Sequence, residues 1–469
     1  MRKIPVFFSA LLILAAFLPF SSCQRENVHT VYAITAEYAP AERTLSADMS
    51  VAYVNQTENV KEELFFLLYP NAFQEGTTPP VSPMRAPAAY YDGESYGKLE
   101  ILSVDGGTYS VDGTCLCIFL DEPLYPKEEV QISMTFQTVL PKVNHRFGVG
   151  ETCVNLAHFY PLLTEEEYCD VPPVGDPFVS ECSDYEVSLT LPEEYSLACG
   201  GEVQTIAQTG KKTYHILSEN VRDFAVVFGK GLSCSEMQVS GVTVEYWAKD
   251  EGEEGLRAAV DALAFFSRTF GQYPYEKYVV VRTDLDEGGM EYPALSMVSS
   301  ALHPSEVPTV TVHETAHQWW YSAVGSNQVE EAWMDEGLAE YSTALFFDAH
   351  PTYGLGREEY VSRAERAYRA YYSVKTQLLQ GADTSMRRPL SSFSNGYEYV
   401  NLAYHKSTVL FDRVRLCVGD GKFYSALKDY YREFSGKIAA AEDLIACFHR
   451  AFGHVEELFS SFLDGKCVV

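Results

Sequence analysis

The sequence predicts a β-rich first domain followed by a largely helical second one. Two changes of pattern carry this. Up to about Trp247, short segments alternate apolar and polar residues or run briefly apolar, broken by Gly, Pro, Asn and Asp at the spacing of an all-β sandwich. Beyond the acidic, glycine-bearing stretch Lys249–Gly255, the apolar period becomes helical. Strands gathered in one half and helices in the other argue for separate domains, placed at 28–248 and 256–469. A chain of 469 residues, 46% apolar and 21% charged, has ample length for such cores.

The first residues read as a targeting segment. Arg2 and Lys3 precede an apolar run, Ile4–Phe20, which ends in "FSSC" before Cys23. That order is similar to a bacterial lipoprotein box: a signal peptide over 1–22, with lipid on the thiol of Cys23. Plain secretion and an uncleaved anchor helix are the alternatives. Export places the protein on the outer face of the cell membrane, as a lipoprotein, or in the medium. No other run is long or apolar enough to span a bilayer.

Leu45–Asn55, Glu63–Pro70, Leu99–Gly106, Glu129–Leu140, Tyr185–Pro192 and Val242–Ala248 are the expected strands of the first domain. Two long proline-containing insertions, Thr77–Gly93 and Cys169–Asp184, interrupt them. In the second domain Leu256–Gly271 is an amphipathic helix, Tyr278–Leu285 a strand and "GGMEYPAL" (Gly288–Leu295) a turn. Helices are expected over Pro308–Val324, Glu331–Ala349, Arg357–Leu379, Tyr404–Cys417 and Gly421–Phe434, with two more closing the chain. Ten cysteines remain besides Cys23, and their spacings dictate no disulfide framework. Cys115 and Cys117 share one strand face and read as buried. Cys153, Cys169 and Cys182 lie in a loop-rich stretch where bridging is more plausible, and the pairing stays open.

A formal net charge of −30 excludes a nucleic-acid partner, whose phosphates would be repelled over most of the surface. Attraction of cationic substrates is one reading of that charge; a solvated acidic surface accounts for it more simply.

The stretch "VHETAHQWW" (Val312–Trp320) carries the chemistry. On a helix His313 and His317 lie one turn apart on one face, so both imidazoles can reach one metal ion. Glu314 points beside that pair, where a carboxylate can take a proton from water rather than bind metal. A catalytic zinc site needs a third protein ligand. Glu336, nineteen positions after His317 on the next expected helix, supplies it if the two helices pack antiparallel. Glu340, one turn further, could orient a ligand from behind. Trp319 and Trp320 read as core, and the remaining histidines show no second metal spacing.

His313-Glu314-Thr315-Ala316-His317 with Glu336 in "DEGLAEY" resembles the gluzincin signature of the aminopeptidase N-like family, which includes leukotriene hydrolase. "GGMEYPAL" resembles that family's exopeptidase motif, and "YHKSTVLFDRV" its Tyr-x-Lys-Gly segment, with Tyr404 in the catalytic tyrosine position. The resemblance implies an N-terminal saddle-like β-sandwich and a thermolysin-like, mostly helical zinc peptidase domain. It implies one Zn2+ per chain on His313, His317 and Glu336, and peptide substrates with a free N-terminus. Glu314 would serve as general base and Tyr404 as donor to the developing oxyanion, a contribution of roughly 3 kcal/mol. Glu291 would hold the substrate's α-amine, with the backbone of Gly288 and Gly289 lining the peptide. It also implies a short member without the helical-repeat domain of larger relatives. Tyr292, Tyr321 and Ser407 depart from the family pattern; they bear on substrate preference and leave the ligands intact.

An exported zinc aminopeptidase is therefore the expectation. An endopeptidase or epoxide hydrolase on the same zinc site is the nearest rival, and a non-catalytic peptide-binding lipoprotein the rival of another class. Membrane contact is expected only through a lipid on Cys23.

Overall fold

The computed structural model describes residues 29–249, 252–379, 381 and 383–467, so the leader and Cys23 lie outside the described residues. Three sheets build the first domain around one core. The largest has seven strands in the order Glu202–Gln208, Lys211–Val221, Ser183–Pro192, Thr30–Ala39, Thr44–Val54, Glu129–Val139 and Lys98–Asp105. Thr30–Ala39 pairs parallel with Ser183–Pro192, and antiparallel with Thr44–Val54. Burial alternates residue by residue along Thr30–Ala39, as a strand with one face on the core requires. Two four-stranded sheets share that core. One runs Leu162–Thr164, Lys61–Leu67, Cys115–Leu124, Gly107–Asp112; the other Tyr195–Cys199, Ala225–Lys230, Cys153–Ala157, Phe147–Val149.

A five-stranded sheet forms the wall between this core and the helices. Its strands are β1 (Ser233–Val239), β2 (Val242–Ala248), β3 (Lys277–Thr283), β4 (Gly289–Tyr292) and β5 (Leu295–Ser299), in the order β1-β2-β3-β5-β4. Strands β2, β3 and β5 run parallel, and β4 turns back along β5. Alternation does the dividing: Val279 and Val281 enter the first core, Tyr278 and Val280 the second. Because β1 and β2 pair into this sheet, a boundary at 248 falls behind two of its strands. Polar-apolar alternation marks a strand but not the sheet that it joins. The stretch expected as a turn, Gly288–Leu295, contains strand β4 itself, with the tight reversal at Ala294 (φ 57°).

The longer helices are α1 (Glu253–Thr269), α2 (Val307–Ala316), α3 (Trp333–Ala349), α4 (Arg357–Leu379), α5 (Ser407–Val418), α6 (Asp420–Phe434), α7 (Ala441–Phe452) and α8 (Glu456–Leu463). Helix α1 crosses from β2 to β3 and buries Leu256, Ala259, Leu263 and Phe266, three or four residues apart. Helix α3 is buried on almost every side and is the central post of the domain. Helix α2 starts with Pro308 in its first turn and ends at Ala316, eight residues before the expected end. The chain then reverses. Ser322 and Val324 donate to the carbonyls of His317 and Trp319, both at 3.0 Å, around Tyr321 at φ 150°. Trp319 and Trp320 are buried, with their indole N–H groups on Gly271 O and Ser342 Oγ, both at 2.9 Å.

Candidate metal centre

Helices α2 and α3 bring three ligating atoms to one point. The Nε2 atoms of His313 and His317 lie 3.0 Å apart. Glu336 Oε2 is 3.4 Å from the first and 3.3 Å from the second. Bonds of about 2.0–2.1 Å in a tetrahedron put neighbouring ligands roughly 3.3 Å apart, so this triangle fits one zinc ion. Glu336 Oε2 is buried with no hydrogen-bond partner among the described residues, which also fits a metal-facing atom. The outer nitrogens are fixed. His313 Nδ1 lies 2.9 Å from Glu340 Oε2, and Tyr360 donates to Glu340 Oε1 at 2.8 Å. His317 Nδ1 donates to Trp320 O at 3.0 Å. With Nδ1–H committed on both rings, each Nε2 lone pair is free for a cation.

The electrostatics favour positive charge at this point. Burial opposes a proton on either imidazole, yet Glu336 and Glu340 hold His313 well above its usual range, and Glu291 and Glu336 hold His317 up at about 10. Burial likewise opposes charge on Glu336, but the imidazoles of His313 and His317 beside it keep it down at about 2. Glu314 sits beside the triangle, its Oε2 buried and without a hydrogen-bond partner among the described residues. Burial pushes its carboxyl up to about 7, with the two imidazoles pulling the other way.

Two further groups face the cluster. Tyr404 donates to Glu336 Oε1, and its ring stacks on His313 with centroids 5.9 Å apart. It lies in a π-helical turn, Val400–Lys406, that feeds α5; such a turn rotates the following side chains relative to a regular helix. Glu291, on edge strand β4, puts its Oε1, which accepts no hydrogen bond among the described residues, 4.0 Å from His317 Nδ1. Burial and the neighbouring carboxylates of Asp176 and Glu336 raise its acid well above the ordinary range, against the pull of His317.

Residues 254–463 match the model of the peptidase family M1 domain. The second domain is thus similar to the M1 peptidase domain of aminopeptidase N-like proteins. Aminopeptidase N of Haemonchus contortus is 21% identical over 272 residues, 53% of this chain and 26% of that protein. Mouse aminopeptidase RNPEPL1 is 28% identical over 218 residues, 43% of this chain and 29% of its own length. The chain thus spans under a third of these relatives. Among solved structures, the M1 zinc metallopeptidase from Deinococcus radiodurans superposes with a TM-score of 0.65 at 17% identity, covering 94% of each chain. A mutant of it bound to a Tyr-Ser-Ala substrate gives 0.65 at 18% identity, covering 94% and 96%.

Within the second domain, the glycines of "GGMEYPAL" serve different ends. A Cβ on Gly289 would lie 2.2 Å from Glu314 Oε1, so glycine here makes room for the putting of that carboxylate against β4. A Cβ on Gly288 would meet only Val310, at 3.6 Å or more, so the space beside it is open. Lys406, two residues after Tyr404, is buried and ties Thr384 O and Phe462 O at 2.6 and 2.7 Å. Sequence reasoning missed Asp176. It reaches the cluster from the insertion Cys169–Asp184, and its carboxylate groups with Glu291 and Glu336 within 4.8 Å. Arg146, itself bonded to Glu287 at 2.8 Å, holds it there. Tyr399, whose hydroxyl lies 3.5 Å from Glu336 Oε1, was also missed. An acidic residue in a proline-rich loop has no periodicity to betray it; only its isolation among apolar neighbours in "VGDPFV" was a signal.

Proposed function

We propose that the protein is an exported, zinc-dependent aminopeptidase that hydrolyses the first peptide bond of peptides with a free N-terminus. The observation that carries this is the buried carboxyl of Glu291 beside the zinc-ligand triangle, whose Oε1 has no hydrogen-bond donor among the described residues. A buried carboxyl oxygen without a hydrogen-bond donor is costly, and a substrate ammonium supplies positive charge and donors. Asp176 adds a second carboxylate on the same side. Together they anchor the amine so that only the first peptide bond lies over the ligand cluster.

A zinc ion on His313, His317 and Glu336 would supply a Lewis acid for the scissile carbonyl and for the attacking water. Glu314 takes the proton of that water and returns it to the departing nitrogen. An acid poised near neutrality suits both directions of transfer. Tyr404, whose O–H rests on Glu336, donates to the carbonyl oxygen as negative charge builds there. A blocked or internal peptide bond brings no ammonium to Glu291, which disfavours an endopeptidase. The basic start Arg2–Lys3, the apolar run after it and Cys23 support export with a lipid anchor.

The test is one peptide in two forms, free and N-acetylated, with the zinc-loaded full chain. Release of the first residue from the free form alone, reduced about 100-fold or more in Glu314→Gln at unchanged zinc content, is the expected result. Cleavage of both forms would make it an endopeptidase. Cleavage of neither would favour a binding protein.

A further inference from the structure

The insertion that carries Asp176 to the cluster starts from a pair of cysteines. Cys115 opens the strand Cys115–Leu124, and its neighbour in the sheet, Lys61–Leu67, pairs on the other side with Leu162–Thr164. Just beyond Thr164 comes a 3-10 turn, Glu166–Tyr168, closed by Cys169. The two strands flanking Lys61–Leu67 thus bring Cys115 and Cys169 over the same sheet, 54 positions apart, with their Sγ atoms 2.7 Å from each other. Free thiols do not rest that close, and a disulfide needs about 2.05 Å, so the side chains need only a small shift. Both backbones are held: Cys115 is paired in register with Leu67, and the amide of Cys169 donates to Glu166 O at 3.2 Å. The neighbouring cysteine Cys117 faces Glu63 instead, at 3.6 Å.

We propose that Cys115 and Cys169 form a disulfide that fixes the insertion 165–182 to the four-stranded sheet. Beyond the bond, Asp176 meets Arg146 midway along the insertion, and Arg222 Nη1 reaches Ser180 O at 3.1 Å near its far end. The bond therefore anchors the near end of the segment that carries Asp176 to the cluster. The oxidant is a small or protein disulfide. Half-buried Cys115, as thiolate, attacks one sulfur and expels a thiolate; Cys169 then attacks Cys115 Sγ and expels the second. Two cysteine protons leave, and two thiols of the oxidant are formed. Burial raises both thiols, which makes each a slow leaving group and the finished bond hard to reduce. Cys117 does not compete, because its Sγ lies against Glu63 Oε2 while the Sγ of Cys115 lies against that of Cys169.

The experiment uses the full chain incubated with oxidised glutathione and digested without reduction. A linked pair of peptides containing Cys115 and Cys169, retained in Cys117→Ser and lost in Cys115→Ser, is expected. Limited proteolysis within 165–182 should also quicken, by about tenfold, when the bond is reduced. A link from Cys115 to another cysteine, glutathione on each thiol, or free alkylation of both after oxidation would overturn the proposal. None of these readouts depends on peptidase activity.

Discussion

Gly289 has no room for a methyl group, because the Glu314 carboxylate occupies the place where a Cβ would stand. Gly289→Ala must push that carboxylate away by about an ångström, and displacements of that size at a reacting group cost on the order of 100-fold in rate. The expected result is a kcat lowered about 100-fold at unchanged zinc stoichiometry, read by steady-state kinetics alongside metal analysis. Wild-type kcat in the variant would show that Glu314 is not the base. Tyr321 presents the opposite case, a bulky residue at φ 150° where glycine is at ease. Its hydroxyl donates to Asp223, which His158 also meets at 3.1 Å. Relief of the backbone in Tyr321→Gly is worth about 1–3 kcal/mol. Loss of a buried aromatic costs about 3–5 kcal/mol, and loss of a bond to a buried carboxylate adds to it. The loss wins. Urea unfolding should show Tyr321→Gly destabilised by roughly 2–4 kcal/mol, and a stabilised variant would refute the assignment. At this scale His313, Glu314, His317 and Glu336 were legible because helical spacing places them. Asp176 and Arg146 were not, since they arrive from 137 and 167 positions before His313.

Between elements, the third ligand depends on how closely α3 approaches α5. A Cβ on Gly337 would lie 2.4 Å from Ser407 Cβ and 3.1 Å from Phe411 Cε2. Glu336 is the residue before it, so any widening of this seam draws the ligand away from His313 and His317. Gly337→Ala should weaken zinc binding about 10–100-fold, measured by competition with a chromogenic chelator. Ser407 stands where the related motif has glycine. Adding Ser407→Gly removes the atom in the way and should restore most of the lost affinity. A double variant as weak as the single one would mean that the seam is not what positions Glu336. Helix α2 shows why element ends were harder to read than elements: its apolar pattern continues to Val324, but the reversal at Tyr321 depends on an aspartate from the first domain. The π-helical turn carrying Tyr404 is likewise invisible to a 3.6-residue period.

For the molecule as a whole, the two cores are joined by a shared sheet and by buried charge. Arg222, from the first domain, donates to Tyr321 O, Ala323 O and Lys437 O of the second. The expected boundary missed this joint because strand patterns carry no record of which core a face will meet. Arg146 spans the same joint, taking Asp176 from the insertion and Glu287 from the loop before β4. Next to it in sequence is His145, buried against Phe73, with Nε2 2.9 Å from Pro80 O and Nδ1 unpartnered. Burial, then the Arg146 charge, push this imidazole down to about 3 from an ordinary 6.5. An unfolded chain therefore binds a proton here below about pH 6.5 while the folded chain does not until about pH 3. Between those values the unfolded state holds more protons, so the contribution is intact above pH 6.5 and is lost as the pH falls toward 3. One proton corresponds to a slope of about 1.4 kcal/mol per pH unit. Many carboxylates titrate in the same window, so the informative quantity is the difference between the parent and His145→Gln. Stability curves of the two from pH 7 to 4 should converge as the pH falls, with the variant losing less per unit by up to that slope. Parallel curves would mean that His145 is protonated inside the fold, and that acid reaches the domain joint through the Arg146 carboxylates instead.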